Sequence, residues 1–447
     1  MSTTARLLRV VGAAAVVVAA GLLAWVLLVR ETVDTAAVGP TPVATGTAVP
    51  ATAIPPVTAV PTATPQPTPT PAPTAVPFVE VVPGGDQNAL LTTPLPDCGL
   101  LSDATVVAGA VTLRCIEDWA SVPVVAAADG RVVHISTQPA VTIEPDTSVN
   151  AGIWNWAEYS QLGPHVVVDH GSLGDTANTQ TVYAGLASIE EGVGIGTTVS
   201  QGDPLGSVDG PSASVRFSVW SNNARQDGAQ VLAEAPAFET QLAVAEALRP
   251  ALASPTDPRC PLVRSAGQLP GAPRAYRNGT HRGIDFGCGA ADRSGHAVAD
   301  GTVVYLVNDY SDPSVGDREA LLQTAGFAGF TPHWTLVMLY GNVVVVDHGV
   351  IPGAGRVVTI TAHLESVDPT IQLGGSVVRG QRLGELGNRG TNASALGIRG
   401  AADPSLHLHW ELYIDNWYLG SGLDPLAISQ LVTTALCGEA QTPGCPA

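Results

Sequence analysis

The sequence predicts a mainly β fold, with two tandem antiparallel β-sheet domains of the β-sandwich type. Short Val-rich runs at residues 301–305, 342–346 and 356–360 alternate with turns rich in Gly, Asp, Asn and Pro, a pattern typical of strands. The chain also repeats itself: the Val-Asp-His-Gly segment around His170 returns 178 positions later around His348, and a Leu-Gly pair keeps the same offset. Ordered matches at one spacing indicate that one β unit occurs twice.

Length and one helical stretch define the expected domain boundaries. At 447 residues the chain exceeds what one hydrophobic core usually organises. Residues 239–254 are rich in Ala and Leu and end just before Pro255, which predicts a helical linker. We therefore expect a first domain at residues 89–238 and a second at residues 255–447.

The N-terminal region predicts attachment to a membrane. Residues 10–29 form an uncharged apolar run, and about 20 helical residues span roughly 30 Å, the thickness of a bilayer core. Arginines precede the run and acidic residues follow it, so we expect residues 1–9 in the cytoplasm and the bulk of the chain outside a cell membrane crossed once. The length of the run favours a transmembrane anchor over a cleaved signal peptide.

Residues 30–88 predict a disordered stalk. They consist mostly of Pro, Thr, Ala and Val with few charges, and such a composition builds no core. Extended Pro-rich chain rises about 3.1 Å per residue, so the roughly 40 residues from Val38 to about Pro77 could hold a domain on the order of 100 Å from the membrane.

Charge and cysteine content narrow the possible partners. With 20 basic and 39 acidic side chains the formal net charge is −19, and every basic side chain is Arg. A chain without a basic surface is unsuited to phosphate backbones, so nucleic acid is excluded as a partner. The six cysteines fit disulfide bonds in an oxidising compartment, with the pairing left open.

Three histidine-containing segments carry the candidate chemistry. They contain His281 with Asp285, then His363, then His407 with His409. Side chains alternate faces along a strand, so the last two histidines point to the same side and can converge on one point. Imidazoles and carboxylates are ligands that Zn²⁺ accepts, and catalytic zinc keeps three protein ligands and one open position. The segments therefore predict a metal site.

The motifs His-x-Gly-x-Asp, Ala-His-Leu and His-Leu-His occur in this order and resemble those of the lysostaphin and LytM type zinc metallopeptidases of family M23. The resemblance covers residues 275–420 and leaves open which catalytic histidine takes the proton of water and which stabilises the oxyanion. It implies three Zn²⁺ ligands, His281, Asp285 and His409, and two catalytic histidines, His363 and His407.

The first half of the chain is expected to be a degenerate copy of this domain. Gly185 stands where His363 would be, and Val215, Arg216 and Phe217 replace the His-Leu-His segment. The histidine of the shared Val-Asp-His-Gly turn is kept in both copies, so we interpret it as structural. The first copy should therefore keep the fold without binding catalytic zinc.

The second half also departs from the family pattern. The stretch between Gly301 and Asp347 is longer than usual, and we expect it to form a groove wall, a lid or a decorated loop. Residues 388–404 are similarly extended. Thr361 replaces a tyrosine that is frequent in the family and that the first copy keeps as Tyr183.

The expected function is that of a membrane-anchored zinc metalloendopeptidase of the bacterial cell envelope, which hydrolyses peptide bonds of peptidoglycan stems or cross-bridges. The expected partners are peptidoglycan peptides, the membrane through residues 10–29, and the second domain for the first. The alternative is a non-catalytic envelope scaffold that binds cell wall or activates a separate amidase. A latent enzyme, whose site is covered by the stalk or the first domain, is a further hypothesis.

Overall fold

The computed structural model divides into two compact units, Met1–Thr70 and Pro71–Ala447, and every described residue belongs to the second. The predicted anchor at residues 10–29 and the stalk at residues 30–88 lie outside the described residues. Within the described part, no helix is long and apolar enough to cross a membrane. The described residues are 91–96, 100–107, 110–115, 120–143, 156–174, 176–210, 213–221, 224–225, 235–256, 265–287, 294–328, 331–399, 403, 406–415 and 417–436.

The first half is built on two antiparallel sheets. The larger has the order β1-β2-β10-β6-β5-β4-β8, with β11 paired to β10, and the smaller has the order β3-β9-β7. Their strands are β1 (Leu100–Val107), β2 (Ala110–Cys115), β3 (Ser121–Val125), β4 (Gly130–Ser136), β5 (His165–Leu173), β6 (Thr176–Ala184), β7 (Ser188–Ile189), β8 (Thr198–Val199), β9 (Pro204–Asp209), β10 (Ser214–Ser221) and β11 (Ala224–Arg225).

The second half carries one large antiparallel sheet and a short hairpin. The sheet has the order β14-β21-β18-β17-β16-β19, while β20 pairs with β15 and β18, and β22 with β21; the hairpin is β12-β13. Their strands are β12 (Pro273–Arg274), β13 (Gly279–Thr280), β14 (Ile284–Gly287), β15 (Ser294–His296), β16 (Gly301–Val307), β17 (Asn342–Ile351), β18 (Gly355–Val367), β19 (Ser376–Val377), β20 (Arg382–Leu386), β21 (His407–Ile414) and β22 (Trp417–Tyr418). The three Val-rich runs lie in β16, β17 and β18, so these strand predictions are confirmed.

The two large sheets share a strand order. The series β10-β6-β5-β4-β8 of the first sheet corresponds to β21-β18-β17-β16-β19 of the second. The repeated turn is alike as well: His170 Nδ1 lies 2.8 Å from the Asp129 carbonyl oxygen, and His348 Nδ1 lies 3.0 Å from that of Asp300. In both, the other ring nitrogen contacts a threonine hydroxyl. These histidines hold a turn, as expected, and the duplication of the whole unit stays a proposal.

Helices are more numerous than the sequence suggests. The helix predicted at residues 239–254 is present but shorter, at Phe238–Leu248. The other described helices were not predicted, among them two between β16 and β17 and one after β22. Every residue of the second of these, α4, is buried, and a helix without a polar face shows no amphipathic period. The described helices are α1 (Trp156–Tyr159), α2 (Phe238–Leu248), α3 (Val315–Ala328), α4 (His333–Tyr340), α5 (Asn392–Ala395) and α6 (Pro425–Leu436), with 3₁₀ turns at Ser160–Leu162, Ala266–Gln268 and Ala275–Arg277.

Apolar burial connects the elements into three clusters. One belongs to the first half, and one packs α2 and α6 against the large sheet of the second half. The third contains residues of both halves, among them Trp156 and Trp220 with Tyr305 and Trp334. Since all described residues belong to one compact unit, the division at residues 239–254 stays a prediction.

One of the six cysteines, Cys115, lies within the described residues. Cys115 is buried at the end of β2, and the described chain contains no free thiol. The other cysteines lie outside the described residues, so the predicted disulfide framework stays a prediction.

Candidate metal centre

Strand pairing brings the three predicted metal ligands together. β14 runs antiparallel to β21 with Asp285 opposite His409, and His281 lies just before β14. His281 Nε2 is 3.1 Å from Asp285 Oδ1 and 3.0 Å from His409 Nδ1, while His409 Nδ1 is 3.0 Å from Asp285 Oδ1. All three side chains are buried. This is the one group within the described residues whose ligand atoms lie close enough to hold a metal ion.

The geometry and the donor set fit zinc. Zn²⁺ in a tetrahedral site is bound at about 2.0–2.2 Å, which places its ligand atoms roughly 3.3 Å from one another. The separations here are 3.0 to 3.1 Å. Two imidazoles and one carboxylate form a donor set that Zn²⁺ accepts, with a fourth position left for water or substrate.

Outer hydrogen bonds fix the ring nitrogens that face the cluster. His281 Nδ1 lies 3.1 Å from the Leu269 carbonyl oxygen, which only accepts, so Nδ1 donates and Nε2 keeps its lone pair for the metal. His409 Nε2 lies 2.8 Å from Glu411 Oε1 and donates in the same way, so Nδ1 keeps its lone pair. Bonds of this type orient metal ligands and raise their basicity.

Glu411 is a site residue to which the sequence analysis assigned no role. Its buried carboxylate accepts hydrogen bonds from Tyr340 at 3.0 Å and Tyr413 at 2.7 Å, in addition to His409. Burial alone would raise the pKa of Glu411, but the His409 hydrogen bond and the charges of His409 and Arg282 lower it. The alternation of side chains along β21 could have indicated this role, because positions 407, 409 and 411 share one face of the strand.

The same hydrogen-bond network shifts the pKa values of the neighbouring ligands. Burial opposes ionisation of Asp285. When the ring nitrogens of His281 and His409 that face the cluster carry protons instead of a metal ion, their hydrogen bonds hold the pKa of Asp285 well below its usual value. Burial likewise lowers the pKa of His409, but hydrogen bonds to Asp285 and Glu411 raise it to about 9. Two flanking carboxylates therefore make His409 a basic ligand.

Both predicted catalytic histidines lie beside this cluster. The ring centroid of His363 is 5.1 Å from that of His407 and 5.5 Å from that of His409, and His407 Nε2 lies 3.7 Å from Asp285 Oδ1. His363 Nδ1 donates to the Arg389 carbonyl oxygen at 2.7 Å, which leaves Nε2 able to accept a proton. Burial, followed by the charges of His407 and His409, lowers the pKa of His363 well below its usual value.

Local backbone geometry explains two features of the motifs. His363 has φ of 61°, in the left-handed region that few residues other than glycine adopt. A Cβ at Gly283 would lie 2.6 Å from His409 Cε1 and 2.8 Å from the Trp410 carbonyl oxygen. The His-x-Gly-x-Asp segment therefore needs glycine at this position in order to approach β21.

The strand register corrects one sequence-based alignment. In the second sheet His409 lies opposite Ala362, and in the first sheet the residue opposite Ala184 is Arg216. Arg216 therefore occupies the register position of His409, and Phe217 follows it by one residue. The expected replacement of His-Leu-His by residues 215–217 is displaced by one position, because sequence matching had no register to anchor it.

The other counterparts follow from the same register. Thr112 lies opposite Arg216 as Asp285 lies opposite His409. Gly185, with φ of 80°, shares the left-handed backbone of His363. The positions corresponding to Asp285, His409 and His363 thus carry Thr, Arg and Gly, a set without metal ligands.

All five predicted site residues line one cavity of about 680 Å³. Part of its wall comes from α3 and α4, which contribute Arg318, Leu322, Leu336 and Leu339. The long stretch between Gly301 and Asp347 is therefore a groove wall, one of the three expected possibilities. Every described residue that lines the cavity belongs to residues 274–411, so the predicted covering by the first domain stays a hypothesis.

Comparison with known proteins identifies a family for part of the chain. The family model described as Peptidase family M23 matches residues 279–421, which contain all five site residues. No curated protein matches the chain.

Similar solved structures include peptidases. A variant of the catalytic domain of the prophage-encoded M23 protein EnpA from Enterococcus faecalis is 17% identical, with 30% of this chain and 78% of that chain covered and a TM-score of 0.17. A zinc-containing peptidase from Vibrio cholerae is 12% identical, with 73% and 85% covered and a TM-score of 0.25. Lysostaphin is 15% identical, with 42% and 61% covered and a TM-score of 0.22, so this chain spans less than two thirds of it.

Proposed function

We propose that this chain, in which residues 279–421 form a domain of peptidase family M23, is a zinc-dependent endopeptidase that hydrolyses peptidoglycan peptides. The observation that carries the proposal is the convergence of His281, Asp285 and His409, whose ligand atoms lie within 4.8 Å of one another. Two further histidines stand beside them in a cavity of about 680 Å³, a size typical of ligand sites.

Zinc held by His281, Asp285 and His409 would supply Lewis-acid polarisation of the scissile carbonyl and activation of water. His363 accepts a proton through Nε2, because its Nδ1 is committed to the Arg389 carbonyl oxygen. His407, with its ring centroid 5.1 Å from that of His363, donates a hydrogen bond to the oxyanion. Glu411 keeps His409 oriented through its hydrogen bond to Nε2.

The alternative of a non-catalytic scaffold has less support. A scaffold requires neither the ligands nor the catalytic histidines, and this chain keeps all five residues in one cavity. The first half fits a non-catalytic role better, since the strand order and register support its origin as a degenerate copy. We propose only that the first half packs against the second half.

Attachment to the membrane is part of the same proposal. It is supported by the sequence alone, through the apolar run at residues 10–29 and the Pro- and Thr-rich stretch at residues 30–88. An anchored enzyme would act on the cell wall from the extracytoplasmic side. Membrane fractionation of cells that make the full chain or a variant with residues 10–29 deleted tests this point, and retention of the deleted chain in the membrane would contradict it.

The enzymatic proposal is tested by mass spectrometry of peptidoglycan after incubation with the zinc-loaded full chain. We expect new peptide termini that disappear with a zinc chelator and with His409→Ala. The digest would also identify the bond that is cut. An unchanged digest from zinc-loaded, folded protein would refute the endopeptidase activity.

A further inference from the structure

Two buried arginines in the cavity wall have no part in the proposed zinc chemistry. Arg277 ends the 3₁₀ turn Ala275–Arg277, and Arg318 lies in the first turn of α3, which packs against that turn. Arg277 is only 6% exposed and Arg318 only 7%, yet both line the cavity that contains the candidate metal centre.

Neither guanidinium contacts a carboxylate of the described chain. Arg277 donates to Thr331 Oγ1 and, at 2.9 Å, to the Thr280 carbonyl oxygen. Arg318 donates to the Gly390 carbonyl oxygen at 3.2 Å. The Nε atom of each is buried without a hydrogen-bond partner. All of these acceptors are neutral, so neither buried guanidinium is directly paired with a carboxylate of the residues that the structure describes.

This arrangement differs from that of Arg356, the other buried arginine of the described residues, which pairs with Asp347. The partly buried Arg389 pairs with Glu365 and Asp312. The chain carries 39 acidic against 20 basic side chains, so carboxylates are not scarce. A buried charge is unfavourable unless it is paired. Burial lowers the pKa of Arg318, and the more distant charges of Asp312 and Glu319 offset this effect only in part.

The position of Arg318 links it to the reacting centre. Gly390, whose carbonyl oxygen accepts from Arg318, directly follows Arg389, whose carbonyl oxygen holds His363 Nδ1. A group bound at Arg318 would therefore lie next to the loop that orients His363. The adjacent wall residues Leu322 and Leu339 are apolar and suit the uncharged part of a peptide.

We propose that Arg277 and Arg318 form a carboxylate-binding subsite, which selects peptides with a free carboxylate near the scissile bond. Guanidinium groups present planar sets of N–H donors that match a carboxylate. The bound carboxylate would supply a directly paired counter-ion for two buried charges. The carboxylate comes either from a chain terminus or from an acidic side chain. This inference rests on the proposed peptidase function for its meaning in catalysis.

The test measures binding of peptide pairs that differ in one carboxylate. N-acetyl-trialanine is compared with its terminal amide, and N-acetyl-Ala-Glu-Ala-amide with N-acetyl-Ala-Gln-Ala-amide, by calorimetry on the full chain. The first pair reports a terminal carboxylate and the second a side-chain carboxylate. We expect at least one acid to bind at least tenfold more tightly than its uncharged partner.

Variants assign the preference to the arginines. Arg318→Gln keeps a donor for the Gly390 carbonyl oxygen but removes the charge, so the preference for the acid should fall below twofold while binding of the uncharged peptides changes less than twofold. Arg318→Lys should restore part of the preference, and Arg277→Gln should reduce it. Arg382→Gln, at a largely exposed arginine away from the cavity, is the matched control and should keep it.

The outcomes separate the subsite from the hydrolysis. Equal binding of acids and uncharged partners by the wild-type chain, no binding of either acid, or a proportional loss for all peptides in Arg318→Gln would overturn the subsite. A preference for an acid in a chain that hydrolyses no peptide would support the subsite and contradict the proposed function. Hydrolysis of peptides without a preference for either acid would support the proposed function and contradict the subsite.

Discussion

His409 Nε2 donates a hydrogen bond of 2.8 Å to Glu411 Oε1, so the predicted zinc ligand is held from behind by a buried carboxylate. Outer-shell bonds of this type typically contribute 10- to 100-fold to metal affinity. We expect Glu411→Gln, which keeps an acceptor but removes the charge, to weaken zinc binding about 10-fold, and Glu411→Ala to weaken it more. Competition titration with a zinc-binding dye measures both, and unchanged affinities would contradict this role.

His363 is expected to serve catalysis without binding zinc. His363→Ala should lower kcat by about 10²- to 10⁴-fold, the usual contribution of an acid–base group, while zinc content stays the same as in the wild type. Steady-state kinetics and elemental analysis on the same sample check both parts. Loss of zinc together with activity would instead make His363 a ligand.

The backbone of His363 gives a stability prediction. Its φ of 61° strains any residue with a Cβ, and the corresponding position of the first sheet carries Gly185 with φ of 80°. His363→Gly should therefore resist denaturant better than His363→Ala by about 1 kcal/mol. Chemical unfolding of the two variants measures the difference. A more stable alanine variant would show that the left-handed backbone is not maintained.

Gly283 tests how closely the motif segment approaches β21. A Cβ there would lie 2.6 Å from His409 Cε1, so Gly283→Ala should cost about 1–3 kcal/mol of stability and displace the ligand. Gly267→Ala is the matched control, since a Cβ there meets nothing within 4 Å and should change stability by less than about 0.5 kcal/mol. Equal effects of the two substitutions on unfolding would rule out the close approach.

Two buried histidines predict loss of stability in acid. Burial lowers the pKa of His134, and it lowers that of His165 to about 4. Below pH 6.5 the unfolded chain binds protons that the folded chain does not, so stability is fully present above that pH. It is then lost as the pH falls toward 4, by roughly 3 kcal/mol from His165. Denaturant unfolding between pH 7 and pH 4.5 should show a smaller loss for His165→Asn, and an equal loss would refute this source.

The sequence was most informative where a pattern is local. Val-rich runs bounded by turn residues predicted β16, β17 and β18. The resemblance of the three histidine motifs to family M23 implied the five site residues, which line one cavity. The role of Glu411 was readable from the same strand period but had no motif to mark it. In each case the information lies within a few consecutive residues.

Features that depend on long-range packing were not predictable. Helix α4 is buried all round, so its sequence shows no period that would distinguish it from a strand. The register position of Arg216 is set by pairing with β6, and no local signal fixes it. The burial of Arg277 and Arg318 likewise results from the packing of α3 against a distant turn.

The most direct test of the central claim is the zinc content of the purified full chain and of its site variants. We expect about one zinc per wild-type chain, and much less in Asp285→Asn and His409→Ala. His348→Gln, at a histidine that holds a turn outside the site, should keep the wild-type content. A wild-type chain that binds no zinc when folded, or an Asp285→Asn chain that binds it equally well, would contradict the assignment of His281, Asp285 and His409 as the metal centre.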